Sequence, residues 1–257
     1  MVLPTLGERL SFLESTLLSC EKLAREIPTT VVMVAPTWAI EARALGSRFG
    51  VTVVDDPGTG MADAVNAGLG VRSTEDFYVW VGDDDELVAP GILALMESMG
   101  DRPSAVVASG QCDYINDAGI VIGRSKAGPL AKALLAWGPN FIPHPGTLVR
   151  LDALEAVGGF DSSLSYALDL DVFLKLRRMG DFLSIPSISA RFRWHSASAT
   201  VADRSASARE AIAVKNRHLG PWLRAISWLW NYPVAWASQS AAWLVSWRAR
   251  KLESSLR

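Results

Sequence analysis

FYVWVGDDDEL, residues 77–87, is the stretch of sequence that decides the fold. Its first half is apolar and rich in residues that favour strands, and it stops abruptly at four acidic residues. Pro90-Gly91 then begins a helical pattern. We therefore predict a buried strand that carries a cluster of carboxylates at its C-terminal end. In open α/β sheets, this edge is where ligands bind.

The acidic residues of this stretch favour a cation site. Several carboxylates within one turn repel each other unless a cation or water relieves the repulsion. Hard divalent cations bind oxygen ligands, and Mg²⁺ often connects one or two carboxylates to the phosphates of a substrate. The pattern thus predicts a metal–diphosphate site, and the alternative is a solvated acidic turn after a strand. We expect Asp83 to face water.

The composition limits the classes of protein to consider. The chain has 257 residues, of which 49% are hydrophobic, so one large domain, or one with an appendage, is expected. The formal net charge of −2 lacks the excess of positive charge that is typical of nucleic-acid-binding proteins. Cys20 and Cys112 stand in unrelated contexts, which predicts no disulfide framework and fits a reducing compartment. The first residues lack the pattern of a signal peptide, so we expect a cytoplasmic protein.

Strand and helix patterns alternate through the first 109 residues. Apolar steps of three and four predict a helix between Arg9 and Ile27, and Thr30–Ala35 is a continuous apolar run typical of a buried parallel strand. The alternation continues over 38–49, 51–54, 60–70, 77–87, the helix after Pro90 and 105–109. Short connections between such elements predict an α/β fold with a Rossmann-like, mostly parallel sheet flanked by helices.

The pattern becomes looser after Gly110. Asn116–Gly119 predicts a turn between two short β-prone pieces, and the three prolines of 139–146 predict a loop. Further helices are expected over 128–137, 151–157, 166–179 and 204–219, and further strands over 146–150 and 188–194.

Four motifs resemble those of family 2 glycosyltransferases with the GT-A fold. They are LPTLGER at 3–9, DPGTGMADAVNAGL at 56–69, WVGDDDELVAPG at 80–91 and ALDLDVFLKL at 167–176. Each motif is weak alone, but their order and spacing together make a strong signal. The resemblance extends from about Leu3 to about Leu219, and it is to small bacterial enzymes that build cell-surface polysaccharides and glycolipids.

The resemblance implies a nucleotide-sugar donor and a divalent cation, Mn²⁺ or Mg²⁺. A cation suits this chemistry because negative charge builds on the leaving diphosphate. The family pattern implies Asp85 as a metal ligand and Asp84 as the partner of the ribose hydroxyls, although the sequence alone does not separate the two. His195, in a segment like the family's late His-x-x-Ser, would touch the metal or the diphosphate. The alternative for His195 is a strand-end histidine bonded to backbone.

The same resemblance aligns Asp169 with the family's catalytic carboxylate. We predict that Asp169 is the general base that takes the proton of an acceptor hydroxyl, whose in-line attack inverts the anomeric carbon. Asp171 lies two residues further at a helix start, so only one of the two can point into the pocket. We place Asp171 on the acceptor side, with helix capping or pairing with Lys175 or Arg177 as alternatives. His144, between two prolines, is also expected on the acceptor side.

Nucleotide recognition is where the chain departs from the family. The family usually has an acidic segment after the second strand, and the equivalent here is APTW at 35–38. We therefore expect the base to be bound by Pro4-Thr5, by Asp55 or Asp56, or by stacking on the tryptophan of that segment. The identity of the nucleotide stays open. Asn66 is expected to hold its helix against the nucleotide, with a capping or helix–strand hydrogen bond as the alternative.

The last forty residues are predicted to form a second unit, 220–257, after a glycosyltransferase domain at 1–219. The run AISWLWNYPVAWASQSAAWLVSW at 225–247 carries no charge, and Arg248, Arg250 and Lys251 follow it. Because Trp and Tyr favour membrane interfaces, we expect short helices, broken at 231–233, that bind the inner face of the membrane through 222–251. The alternatives are a protein interface, such as a homodimer, and a spanning helix.

These observations predict an inverting, divalent-metal-dependent glycosyltransferase that acts on a lipid-linked or cell-surface glycan. One alternative is a nucleotidyltransferase, which would need a Gly-rich basic loop after the first strand; LGER at 6–9 is a thin candidate. Another is a catalytically degenerate GT-A protein that acts as a membrane-associated scaffold. The departure at 35–38 favours that alternative, and the intact Asp84, Asp85 and Asp169 oppose it.

Overall fold

The computed structural model describes residues 1–125, 128, 130–194, 203–238, 240 and 243, so His195 lies outside the described residues. The strands are β1 (Val2–Pro4), β2 (Val32–Ala35), β3 (Thr52–Asp55), β4 (Phe77–Val79), β5 (Glu86–Leu87), β6 (Ala105–Ile115), β7 (Val121–Ser125), β8 (Leu148–Arg150) and β9 (Asp181–Arg193). The helices are α1 (Leu10–Glu26), α2 (Ile40–Arg48), α3 (Met61–Leu69), α4 (Ala89–Gly100), α5 (Ala131–Leu134), α6 (Leu151–Ala156), α7 (Leu168–Leu176), α8 (Arg204–His218) and α9 (Pro221–Ile226).

The first three strands form a parallel sheet in the order β3-β2-β1. Val2 lies opposite Val32, and Val32 lies opposite Thr52. Parallel neighbours need a crossover between them, and α1 and α2 supply it. The predicted α/β architecture with flanking helices is confirmed.

The second sheet is mixed, with the order β4-β8-β6-β9-β5 and β7 beside β6. β6 and β9 pair in parallel, whereas the other pairs are antiparallel. A parallel bridge between Val2 and Trp80 joins the first sheet to the end of β4. The antiparallel strands β7 and β8 come after Gly110, where the sequence pattern had become looser.

Two hydrophobic cores lie against these sheets. One contains α1, α2 and α4, with Leu17, Met33 and Leu95 fully buried. The other contains α3, α6 and α7, with Val65 and Phe173 fully buried. Burial on both sides explains the continuous apolar runs of the parallel strands.

The C-terminal segment is helical where the structure describes it. After α8 and α9, helical residues continue over 228–238. The predicted break at 231–233 is wrong, and the interruption lies at Ser227. Pro233 stands inside this helical run, where its missing N–H costs one backbone hydrogen bond but does not end the helix. In the described parts of the chain, no helix combines the length and the apolar character needed to cross a membrane.

Candidate active site

The acidic turn after β4 places two carboxylates around one small space. Asp85 is 1% exposed, and its Oδ1 accepts a 3.0 Å hydrogen bond from the backbone N–H of Arg193. Its Oδ2 is buried and has no hydrogen-bond partner among the residues that the structure describes. A Cβ added at Gly82 would lie 2.9 Å from Asp85 Oδ2 and 3.0 Å from Asp84 Oδ1. The glycine therefore leaves room for a group that both oxygens can contact.

The electrostatics of this turn suit a cation. Burial raises the pKa of Asp85 well above its ordinary value, and the neighbouring charge of Asp84 raises it further. A divalent cation would favour the ionised carboxylate and would give the buried Oδ2 a partner. Among the described residues, no group of three or more His, Cys, Asp or Glu is arranged to hold a metal ion. Two carboxylates therefore fit a cation that takes its other ligands from phosphates and water.

Arg193 fixes the acidic turn from the far side, and the sequence patterns did not indicate this role. Its side chain is buried and donates to the carbonyl oxygens of Asp84 and Asn116, each at 2.9 Å. It also pairs with Glu86 at 3.1 Å. From α1, the hydroxyl of Thr16 donates to the carbonyl of Asp85 at 2.7 Å. The turn is thus held by two elements that are remote from it in sequence.

Asp83 does not face water, so that prediction is wrong. Its Oδ2 accepts a 2.7 Å hydrogen bond from the hydroxyl of Thr5, and its Oδ1 lies 3.1 Å from a guanidinium nitrogen of Arg9. The other terminal nitrogen of Arg9 lies 3.1 Å from Asp84 Oδ2. The end of β1 and the start of α1 supply these partners, and local sequence carries no signal for them.

A cavity of about 580 Å³ opens over the acidic turn, and we call it the acidic cavity. Five of the predicted donor and metal residues line it: Pro4, Thr5, Asp56, Asp84 and Asp85. Of the other candidates for base recognition, Trp38 is 65% exposed and Asp55 pairs with Arg43 at 2.9 Å, and neither lines the cavity. The carboxylate of Asp56 accepts a hydrogen bond from the N–H of Gly58, which shapes the loop at the cavity rim.

A second cavity of about 440 Å³, the Asp169 cavity, adjoins the first. It is lined by Asp169 and His144, and by Asn140, Tyr166 and several apolar side chains. The two cavities share Met61, Trp80 and Phe192 as lining residues. The structure therefore brings the acidic turn and Asp169, which are far apart in the chain, to neighbouring parts of one cleft.

Asp169 lies in the first turn of α7 and is partly exposed in its cavity. Burial raises the pKa of Asp169 to about 6, against the lowering effect of backbone N–H groups and of the amide of Asn140. The Asn140 nitrogen donates to Asp169 Oδ2 at 3.1 Å. A carboxyl group with this pKa is mostly ionised at neutral pH and can accept a proton.

His144 lines the Asp169 cavity beside Trp80, which both cavities share. Its ring stacks on Trp80 with centroids 4.3 Å apart and an interplanar angle of 11°. The rings of Phe160 and Phe173 lie 5.7 and 6.2 Å away. Burial lowers the pKa of His144 to about 3, so the ring is neutral at physiological pH. His144 lines the Asp169 cavity, and its place on the acceptor side stays a prediction.

Asn66 and Asp171 lie elsewhere than predicted. Asn66 does not line the acidic cavity, because its amide exchanges two hydrogen bonds, of 2.8 and 3.1 Å, with the backbone of Phe160. Asp171 does not line the Asp169 cavity. It is 3% exposed and lies 2.8 Å from both His218 Nε2 and Lys175 Nζ. In both cases the alternative interpretation, a structural contact, describes the geometry.

Asp113 also has a structural partner in this region. It is buried on β6 and pairs with Arg124 of β7, with a second guanidinium contact at 3.2 Å. Its neighbours Cys112 and Tyr114 line the Asp169 cavity instead. The ion pair therefore fixes the β6–β7 hairpin beside the cavity.

The chain resembles two bacterial polysaccharide synthases in part. No protein-family model matches it. It is 23% identical over 176 residues to the chondroitin synthase of Pasteurella multocida (strain Pm70), which covers 68% of this chain and 18% of that protein. It is 25% identical over 145 residues to the hyaluronan synthase of Pasteurella multocida, which covers 56% of this chain and 14% of that protein. The chain thus spans less than a fifth of the length of these curated relatives.

Solved structures share the fold. Residues 1–349 of S. aureus TarS superpose with a TM-score of 0.59 and 14% identity, over 88% of this chain and 71% of that one. A second S. aureus TarS structure gives a TM-score of 0.58 and 15% identity, over 86% of this chain and 42% of that one. The architecture is therefore that of the GT-A glycosyltransferases. Together with the two synthases, it supports a family 2 glycosyltransferase-like protein, as the four motifs predicted.

Proposed function

We propose that the chain is an inverting, divalent-metal-dependent glycosyltransferase. It moves a sugar from a nucleotide-diphosphate donor to a hydroxyl of a glycan or lipid-linked acceptor. The observation that carries this proposal is the adjacency of the acidic cavity, with Asp84 and Asp85, to the Asp169 cavity across Trp80. An inverting transfer needs the leaving group and the base on opposite sides of the reacting carbon, and adjoining cavities supply two such sides.

The donor occupies the acidic cavity in this proposal. Pro4, Thr5 and Asp56 line it and would bind the nucleoside. Asp85 would hold Mn²⁺ or Mg²⁺, which neutralises the charge that develops on the leaving diphosphate. Asp84, which the family pattern assigned to the ribose hydroxyls, would join it as a second ligand, because its Oδ1 faces the same space over Gly82. The unpartnered Oδ2 of Asp85 and the space over Gly82 support this assignment.

The acceptor occupies the Asp169 cavity. Its hydroxyl oxygen attacks the anomeric carbon, and Asp169 takes the hydroxyl proton. The bond between the anomeric carbon and the diphosphate oxygen breaks, and the nucleoside diphosphate leaves with the electron pair. The pKa of about 6 suits this role, since the base must be ionised before the reaction and protonated after it.

A lipid-linked acceptor would place the protein at a membrane. We place it peripherally at the inner face of the membrane, bound through 222–251, where a lipid-linked acceptor would be presented. Exposed tryptophans support this assignment: Trp222 is 89% exposed and Trp236 is 74% exposed. A homodimer formed through the same surface is the competing arrangement.

The deciding experiment measures binding of nucleoside diphosphates with and without Mn²⁺, followed by sugar transfer from a panel of nucleotide sugars. Asp85→Asn should abolish metal-dependent binding, whereas Asp169→Asn should bind the donor normally and stop transfer. The two variants make the same chemical change at the two cavities and so control for each other. If no nucleoside diphosphate binds in the presence of metal, the transferase proposal fails and the scaffold alternative gains support.

A further inference from the structure

Arg9 occupies an unusual electrostatic position. It precedes α1, and its guanidinium lies 3.1 Å from both Asp83 Oδ1 and Asp84 Oδ2. Among the described residues that line the acidic cavity, it is the one cationic side chain. The carboxylates that line the same cavity are Glu8, Asp56, Asp83, Asp84 and Asp85.

This balance of charge works against an anionic ligand. A nucleoside diphosphate that entered the cavity would meet five carboxylates and a single guanidinium. Like charges at close range repel strongly where the surroundings are of low dielectric. The ligand therefore needs a cation on the acidic turn, and it also needs the guanidinium to be available to its phosphates.

The contacts of Arg9 with Asp83 and Asp84 lie on one side of the turn, away from Gly82. Arg9 contacts Asp84 Oδ2, whereas Asp84 Oδ1 lies toward Gly82 and Asp85 Oδ2. A cation could therefore bind on the Gly82 side and draw charge away from the guanidinium. The Arg9 side chain is 32% exposed, so it has room to turn, and guanidinium groups bind phosphate oxygens in a bidentate manner.

We propose that Arg9 serves two anions in succession. Before the donor binds, it is the counter-ion that holds Asp83 and Asp84 together. Once a divalent cation neutralises the acidic turn, Arg9 contacts the diphosphate of the donor. This inference rests on the proposed function, and it assigns to Arg9 both competition with the metal and binding of the donor.

The proposal predicts opposite effects of one substitution. Without Arg9, the acidic turn loses its competing cation, so Mn²⁺ alone should bind more tightly. The nucleoside diphosphate should bind less tightly at saturating Mn²⁺, because it loses a charge-assisted contact. A residue that only kept the turn folded would, when replaced, weaken both kinds of binding.

The experiment compares Arg9→Gln and Arg9→Lys with the unmodified chain. Free Mn²⁺ is measured by electron paramagnetic resonance without nucleotide, and nucleoside diphosphate and monophosphate binding is measured by calorimetry at saturating Mn²⁺. We expect Arg9→Gln to tighten Mn²⁺ binding severalfold and to weaken diphosphate binding by about tenfold or more, with a smaller loss for the monophosphate. Arg9→Lys should give intermediate affinities for Mn²⁺ and for the diphosphate, since it keeps the positive charge but loses the bidentate guanidinium.

Arg43→Gln is the matched control, because Arg43 pairs with Asp55 outside the acidic cavity and should change neither affinity. Weaker or unchanged Mn²⁺ binding by Arg9→Gln would overturn the inference. If the unmodified chain binds no diphosphate with Mn²⁺, the proposed function fails instead. In that case the measurement with Mn²⁺ alone still decides whether Arg9 competes for the turn.

Discussion

The carboxylate of Glu210, in α8, accepts a 2.7 Å hydrogen bond from the backbone N–H of Ala167, the residue that precedes α7. It also accepts bonds from the N–H groups of Tyr166, at 2.6 Å, and Ser165, at 3.1 Å. A carboxylate that binds free N–H groups at a helix start stabilises that helix. Because Asp169 lies in the first turn of α7, Glu210 also fixes the backbone that carries the proposed base.

Replacement of Glu210 tests this positioning role. Glu210→Ala should lower the free energy of unfolding by about 1–3 kcal/mol, because several N–H groups lose a charged partner. It should also lower kcat with little change in donor binding, since the acidic cavity is built from other elements. Glu210→Gln keeps one acceptor oxygen, so it should lose less stability and less kcat than Glu210→Ala. Urea denaturation and transfer kinetics give the two readouts, and unchanged stability in Glu210→Ala would contradict the role.

Asn140 should set the acid limit of activity. Its amide donates to Asp169 and favours the ionised carboxylate, whose pKa is about 6. Activity should therefore fall as the pH drops below about 6, where Asp169 becomes protonated. Asn140→Leu removes the donor and should raise the pKa, which moves the acid limb of kcat/KM to higher pH. If the acid limb of kcat/KM does not move in Asn140→Leu, Asn140 does not have this role. If the acid limb is still present in Asp169→Asn, another residue is the base.

The contacts of Asp171 predict a stability effect rather than a catalytic one. Burial opposes ionisation, but His218 and Lys175 outweigh it, so the pKa of Asp171 lies below its ordinary value. A lowered pKa stabilises the fold above the unfolded-state value of about 3.9, and the contribution is lost as the pH falls through the folded-state value. Asp171→Asn should therefore cost about 2 kcal/mol at pH 7 and little in strong acid.

Denaturation of Asp171→Asn at several pH values provides the measurement. Lys175→Met is the companion variant, because it removes one partner of the same buried carboxylate. It should also lower the free energy of unfolding at pH 7. A variant of Asp171 that folds with full stability but transfers no sugar would return this residue to the acceptor side, as the sequence had indicated.

Local patterns explain which elements were predictable. The helix α1 and the strands β2 and β3 have clear apolar patterns, so their existence followed from the sequence. β6 was predicted to end at Ser109, yet it continues past Gly110 to Ile115. A Cβ at Gly110 would lie 2.5 Å from Ser189 Oγ of β9, so this glycine permits close strand packing. The pairing depends on a strand far along the chain, and no local pattern reports it.

The same limit applies to the candidate site. Motif spacing indicated the acidic turn and Asp169, because those residue types are needed for the chemistry. It did not indicate that Arg9 and Thr5 would hold Asp83, or that Arg193 would brace the turn. These partners are joined only by the folded chain, so charge and hydrogen-bonding capacity in the sequence do not reveal the pairs.

The C-terminal helical segment presents several large apolar side chains to the outside. Trp222, Ile226, Leu229, Tyr232 and Trp236 follow each other in steps of three and four, and all are exposed. Ser227 and Asn231 are buried against the protein instead, and Asn231 bonds to Asn216 at 3.2 Å. Steps of three and four place side chains on one helical face. An outward apolar face of this kind is typical of a surface that binds a membrane or a protein partner.

The proposed membrane binding predicts that a bilayer containing anionic lipid covers this face. Residues 211–252 contain six Lys and Arg residues and no Asp or Glu, so the segment is attracted to negative headgroups. Trp236→Ser should weaken binding to anionic vesicles by about tenfold in sedimentation, because the indole loses its place at the interface. The matched control is Trp38→Ser, which removes another exposed tryptophan, at 65%, just before α2. This variant should bind like the unmodified chain. Equal loss in both variants, or a concentration-dependent dimer without vesicle binding, would favour a protein interface instead.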